Sequence, residues 1–204
     1  GEDRIIVIED TSELQLQQEH VVSLEARAAD RYGRGTVTIS DLLHSSLRLR
    51  PDRIIVGECR GGEALDMMQA MNSGHAGSMT TLHANSPRDA LSRLETLALQ
   101  ADVEMPLVAM RAQIASAVHV IVQTDRLSDG SRKVTNISEV MPLDAGGKYV
   151  TEDVMAFEHE GKELDGTVRG SHRLCDRIPA FWPEVAARGF AGDLEHLQGA
   201  WQAR

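Results

Sequence analysis

Three carboxylates in this chain stand where reactive acids stand in open α/β sheets. Glu9 and Asp10 close the run Arg4-Ile5-Ile6-Val7-Ile8, and Glu58 follows Arg53-Ile54-Ile55-Val56-Gly57. Unbroken runs of β-branched residues read as strands buried on both faces, as in a parallel sheet. Ligands of such sheets sit at the carboxyl ends of the strands. A carboxylate delivered there can orient or deprotonate a water beside a phosphate. It can also hold a magnesium-bound water. Each also has a structural reading: Glu58 as a cap of the next turn, and Asp10 as an Asx turn bonding its own backbone.

Next come His75 and His83, in Ser73-Gly74-His75-Ala76-Gly77-Ser78-Met79-Thr80-Thr81-Leu82-His83-Ala84-Asn85. Imidazoles at glycine-marked strand ends can bond a phosphate oxygen and report its loss. A metal site with Cys59 or Asp10 is the competing reading, although the spacing matches no tight zinc pattern. Arg27, Arg48, Arg50, Arg60 and Arg111 supply forked cations suited to phosphate, and their scatter does not select among them. A phosphate loop of the form G-x-x-x-x-G-K-[ST] is missing from the chain: Gly147-Lys148 runs into Tyr149, and Gly161-Lys162 into Glu163.

The elements that must position these groups follow from periodicity and breakers. Strands are expected along the runs Arg4–Asp10 and Arg53–Glu58, over His20–Leu24 and over Ser78–Leu82. Ser40-Asp41 reads as an N-cap of a helix that the Arg50-Pro51 step ends. Further helices are expected over Glu63–Met71, from Ser86-Pro87 to about Gln100, and from Met105-Pro106 to Ala117. From His119 the pattern turns to antiparallel strands joined at Asp129-Gly130 and Ala145-Gly146-Gly147. Residues 160–170 are polar and glycine-rich and read as a loop. Two short helices, Glu184 to Arg188 and Asp193 to Gln202, are expected at the end.

Composition sets outer limits. The 204 residues hold one sizeable core, or one core and a small appendage. Aromatic content of 3% makes that core aliphatic, and a net charge of -10 argues against a duplex nucleic-acid footprint. Two distant cysteines, Cys59 and Cys175, suggest no disulfide framework and a reduced setting. No apolar stretch approaches the ~20 residues of a membrane-spanning helix, and Gly1-Glu2-Asp3-Arg4 is expected to lead directly into a strand, without the pattern of a signal peptide.

Taken in order, the blocks resemble the secretion ATPases that power type II and type IV secretion and type IV pili. Within that superfamily the likeness points to the tight-adherence (Flp) pilus assembly branch. RIIVIEDTSEL resembles its Asp box, LRLRPDRIIVGECRGGEALDMMQAMNSG its Walker B segment, and GHAGSMTTLHANSPRDALSRLETL its His box. MRAQIASAVHVIVQ and DGSRKVTNISEV resemble its C-terminal subdomain. The resemblance implies an α/β, RecA-like parallel-sheet core lacking the P-loop strand and helix. That core spans residues 1–118. A β-rich subdomain at 119–160 and a polar linker with short helices at 161–204 follow.

It implies ATP with Mg²⁺ as substrate and cofactor. Glu58, Glu9 and His83 are then catalytic. Asp10, Arg27, Arg48 and His75 are nucleotide-facing, and Glu9 and Asp10 lie near the metal through water. The implied function is the C-terminal part of a hexameric motor driving pilus assembly or type II/IV secretion. It would lie on the cytoplasmic side, peripheral to the inner membrane, with inner-membrane platform proteins as partners. The alternative is a truncated, non-catalytic module that docks into such a motor. The family's P-loop is expected upstream of Gly1, so this chain alone is expected to be weak or inactive. One departure stands out: His44 occupies a position where the family usually carries arginine.

Overall fold

The computed structural model describes residues 2–190, which divide into two compact units, residues 2–118 with 142–149 and residues 119–141 with 150–190. The first unit is a four-stranded parallel sheet with helices. Its strands are β1 (Ile5–Glu9), β2 (Val21–Glu25), β3 (Arg53–Val56) and β4 (Met79–Thr80), in spatial order β2-β1-β3-β4. All five residues of β1 are buried, because parallel neighbours flank it on both sides. That accounts for a run with no polar alternation. The register sets Ile8 beside Val56, and the next rung continues with the Gly57 N–H donating to the Ile8 carbonyl at 2.8 Å. The acidic ends of β1 and β3 therefore leave the sheet together.

Four helices accompany these strands. Helix α1 (Ile39–Ser46) starts at Thr38, not at Ser40-Asp41 as its sequence suggests. Thr38 Oγ1 accepts from the Asp41 N–H at 3.1 Å, and the Asp41 carboxylate accepts from the Thr38 N–H at 2.9 Å. This reciprocal box satisfies two orphan donors, which a cap at Ser40 could not do. After α1 a single 3₁₀ turn ends at Arg50, in the left-handed region at φ 52°, directly before Pro51.

Helices α2 (Glu63–Asn72), α3 (Pro87–Ala98) and α4 (Leu107–Ala117) pack on one another. Leu65, Met67, Met68, Leu91, Leu97, Met110 and Ile114 are each at most 1% exposed. Aliphatic side chains and methionine thus do the packing, as the low aromatic content requires. The expected apolar stripe of α3 is buried as read, at Leu91, Leu94, Leu97 and Ala98. Its N-cap Ser86 accepts from the Asp89 N–H at 3.1 Å.

Strand β4 is only two residues long, shorter than the Ser78–Leu82 expected. Gly77, at φ 83°, brings the chain in so tightly that a Cβ there would collide with Arg53 Nη1. Beyond Thr80, Thr81 Oγ1 turns to donate to the Gly57 carbonyl at 2.6 Å, so the strand gives way to a loop around β3's end.

The second unit is an antiparallel meander of β5 (Val120–Arg126), β6 (Arg132–Met141), β7 (Val150–Lys162) and β8 (Val168–Leu174), in sequential order. Residues 160–170, read above as a loop, are the tip of the β7–β8 hairpin. Apart from buried Val168 their side chains are mostly exposed, so little alternation marks them as strand. Asp129 Oδ2 accepts from the Val168 N–H at 2.7 Å, tying the β5–β6 turn to the start of β8.

Val154, Trp182, Ile137, Leu174 and Phe181 form the unit's small core. Buried Glu139 accepts from the backbone N–H groups of Ala180 and Phe181, each at 3.1 Å, and pairs with Arg177. These contacts anchor α5 (Trp182–Val185). The helix expected over Glu184 to Arg188 falls across α5 and the helical turn Ala186–Phe190, and the chain bends just beyond it at Gly189, φ 89°. The expected helix at Asp193 to Gln202 lies outside the described residues. Among the described residues no helix is long and apolar enough to cross a membrane.

Candidate functional site

The carboxyl ends of β1 and β3 bring Glu9, Asp10 and Glu58 to one edge of the first unit, but in unlike environments. Glu9 is 6% exposed. Its Oε1 accepts from the N–H groups of Glu13 and Leu14, each at 3.1 Å, so it holds the start of the loop after β1. Gly57 makes this burial possible: a Cβ at that position would stand 3.0 Å from Glu9 Cγ. Asp10, one residue on, is exposed, with Arg60 Nη1 at 3.7 Å from Oδ2.

Glu58 lies between these extremes, with a side chain 19% exposed and both oxygens engaged. Oε2 accepts from Arg60 Nε at 2.7 Å, and Oε1 faces His83 Nε2 at 3.1 Å. The bond to Glu58, and then its charge, raise the Arg60 pKa above its ordinary value. Arg60 went unassigned in the sequence, where it was one arginine among five. A signal was present in its position two residues after Glu58, which lets its side chain fold back on that acid.

The other expected residues are spread more widely. Arg27 lines an open cleft of about 870 Å³ together with Asp10, Ser40, Arg60, Glu63 and Asp66. Its Nε donates to the Gly35 carbonyl at 2.6 Å, which fixes the side chain against the 27–37 loop. Arg48 is exposed on the 3₁₀ turn and does not line that cleft. His75 sits at the end of α2, with Nδ1 3.3 Å from the Ala70 carbonyl, so it is not brought to Glu58. His44 pairs with Asp66, Nε2 to Oδ1 at 3.1 Å, and Asp66 also accepts from the Ser40 hydroxyl. Arg111 is structural: it donates to Glu95 from Nε at 2.8 Å, and Glu95 also accepts from the Tyr149 hydroxyl at 3.1 Å.

Cys59 follows Glu58 but points inward, 2% exposed, and accepts from Thr80 Oγ1 at 3.3 Å. Burial pushes its thiol up to about 11, so no thiolate stands ready near neutral pH. Among the described residues no three His, Cys, Asp or Glu side chains converge as a metal-binding group. The competing metal site built on His75, His83 and Cys59 therefore has no shared centre.

A hydrated magnesium arriving with a nucleotide is a different case, since Mg²⁺ keeps several waters and takes few carboxylates. The exposed oxygens of Asp10 fit that role. Glu9 fits it only through Oε2, because Oε1 is occupied by two N–H groups.

Comparison with known proteins fixes the family. The family described as "Type II/IV secretion system protein" matches residues 1–163. The chain belongs to the type II/IV secretion system protein family. A putative conjugal transfer protein of Mycobacterium tuberculosis (strain H37Rv) is 37% identical over 150 residues, covering 74% of this chain and 42% of that protein. A protein of Sinorhizobium fredii described as "Probable conjugal transfer protein TrbB" is 39% identical over 164 residues, 80% of this chain and 46% of that protein.

Among solved structures, the VirB11 ATPase from the Brucella suis type IV secretion system, in complex with sulphate, superposes with a TM-score of 0.59 at 34% identity. That match covers 67% of this chain and 40% of the VirB11 chain. The secretion-family chain thus spans less than half the length of these relatives. The α/β expectation holds, with a parallel sheet followed by an antiparallel one. These relatives are conjugal transfer and type IV secretion proteins, so they support the family and not the tight-adherence branch within it.

Proposed function

We propose that this chain is part of a secretion motor ATPase in which Glu58 activates or orients the water that attacks the terminal phosphate of ATP. The observation that carries the reading is Glu58 at the end of β3, with His83 on one oxygen, Arg60 on the other and Asp10 alongside at the end of β1. The 34% identity to a VirB11 ATPase over two-thirds of the chain supports the reaction class.

In this reading Glu58 accepts a proton from the attacking water. His83, on a side chain 93% exposed, is free to leave Glu58 for a phosphate oxygen. Asp10 faces the hydrated cation. Mg²⁺, when bound with the nucleotide, supplies charge neutralisation at the phosphates. Glu9 acts mainly by anchoring the loop that carries Asp10. Arg27, Arg48 and His75 belong to the nucleotide site only if further segments of the protein bring phosphate to them.

The phosphate grip would come from a segment outside this chain. A hexameric ring and docking on an inner-membrane platform from the cytoplasmic side complete the proposal. The named relatives favour type IV secretion or conjugal transfer over tight-adherence pilus assembly as the process served.

The test uses the full-length gene product. Glu58→Gln is expected to lower Mg²⁺-dependent ATP turnover by about 10²–10⁴-fold, the contribution of general acid–base help. Its circular dichroism should stay native. An unchanged rate would refute the role of Glu58. If MgATP neither turns over nor raises the melting temperature of the wild type, the non-catalytic docking module becomes the better reading.

A further inference from the structure

We infer that Arg60 is a positioning residue for Glu58, holding Oε2 so that Oε1 is the oxygen turned to the reacting water. This inference rests on the hydrolytic reading above. Three features of the geometry carry it.

The Arg60 backbone is fixed first. Its N–H donates to Glu63 Oε1, which also accepts from the Gly61 N–H at 2.8 Å, so the turn from β3 into α2 is held by the helix's own first acid. From that fixed point the side chain folds back, with Nε 2.7 Å from Glu58 Oε2 and Nη1 3.7 Å from Asp10 Oδ2. Arg60 thereby links the acids at the ends of adjacent strands β1 and β3. A planar guanidinium bonded through Nε constrains both distance and angle, which an ammonium would not.

The two contacts on Glu58 also differ in kind. The imidazole on Oε1 sits on a side chain 93% exposed, whereas Arg60, on Oε2, is held by Glu63 at its backbone N–H and by Glu58 at Nε. Water or phosphate can displace the first without disturbing the second. The oxygen released is Oε1, and Arg60 determines where it points.

A plain structural reading makes Arg60 a surface ion pair. Its side chain is 68% exposed, and such pairs contribute little to stability. The two readings separate in turnover, so the experiment is ATP hydrolysis by the full-length protein. Arg60→Ala is expected to lower kcat by about 10- to 100-fold while KM for MgATP stays within about threefold, the pattern of lost orientation and not of lost binding. Arg60→Lys should recover part of the loss.

In a Glu58→Gln background, Arg60→Ala should lower kcat by less than about twofold, because the oxygen it orients no longer acts as base. Should Arg60→Ala fail to fold, Arg60→Gln keeps the stem, removes the charge and takes the same measurements. An unchanged kcat in Arg60→Ala, a raised KM with unchanged kcat, or an equal loss in the Glu58→Gln background would each overturn the inference. Those outcomes leave the hydrolytic reading standing if Glu58→Gln alone is slow. If Glu58→Gln turns over at the wild-type rate, the hydrolytic reading falls, and the inference with it.

Discussion

Glu9 and Glu58 end neighbouring strands, yet removing them should have unequal consequences for stability. Glu9→Ala leaves the Glu13 and Leu14 N–H groups without their acceptor, and each such loss costs about 1–3 kcal/mol where water cannot replace it. The loop that carries those donors is exposed, so partial rehydration reduces the sum to about 2–3 kcal/mol. Glu9→Gln keeps an acceptor oxygen and loses only the charge assistance, about 1 kcal/mol. Glu58→Ala removes contacts to side chains that are 68% and 93% exposed, so it should cost about 0–1 kcal/mol.

The assay is urea unfolding followed by far-ultraviolet circular dichroism. With an m-value of about 2 kcal/mol/M, Glu9→Ala should lower the midpoint by about 1–1.5 M and Glu58→Ala by less than about 0.5 M. Amide exchange gives a local check, since protection at Glu13 and Leu14 should vanish in Glu9→Ala. Equal midpoints for the two alanine variants would refute the assignment of Glu9 as an anchor. A Glu9→Gln as damaging as Glu9→Ala would show that charge, and not the two N–H bonds, is what the position supplies.

Other expectations can be checked on the same protein. Three hydrogen bonds, the largest contribution coming from the Val168 N–H, depress the Asp129 pKa to about 2. Because its folded value lies below its unfolded value, its stabilising effect is present above about pH 4 and is lost as pH falls toward 2. Asp129→Asn should therefore flatten acid unfolding of the β5–β8 sheet over that window, read by circular dichroism. Cys59 should resist a thiol reagent at pH 8 in the native state and react fully in denaturant, because burial holds its thiol near 11. Leu91→Ala, at a position that is 0% exposed between packed helices, should cost about 2–5 kcal/mol in thermal or urea unfolding.

The parts of the fold readable from sequence were those where burial leaves a compositional mark. β1 and β3 are buried on both sides, so they read as unbroken β-branched runs. The stripe of α3 meets the core at helical spacing, and its Ser86-Pro87 start declares itself. What stayed hidden depends on contacts and not on composition. Thr38 is the cap of α1 because of one reciprocal pair with Asp41, and Ser40, two residues further on, looks equally suitable on paper. The β7–β8 hairpin tip is mostly exposed apart from Val168, so little period marks it. At the site, chain order placed Glu9, Asp10 and Glu58 together, but could not say that Glu9 turns inward while His75 stays with α2.

The unequal fates of the two strand-end acids follow from one local difference. After β1 the chain enters a loop whose N–H groups point back at Glu9, and Gly57 on the adjacent strand leaves room for that carboxylate to lie flat. After β3 the chain turns toward α2, and the Arg60 and Gly61 N–H groups in that turn are taken by Glu63. Glu58 therefore finds no backbone donor and takes side-chain partners instead, one tethered and one exposed. A carboxylate held by backbone amides is committed to structure, because releasing it strands those amides. One held by a histidine and an arginine can exchange a partner at little cost. The capacity to give up His83 without unfolding anything is what fits Glu58, and not Glu9, for a proton-accepting role.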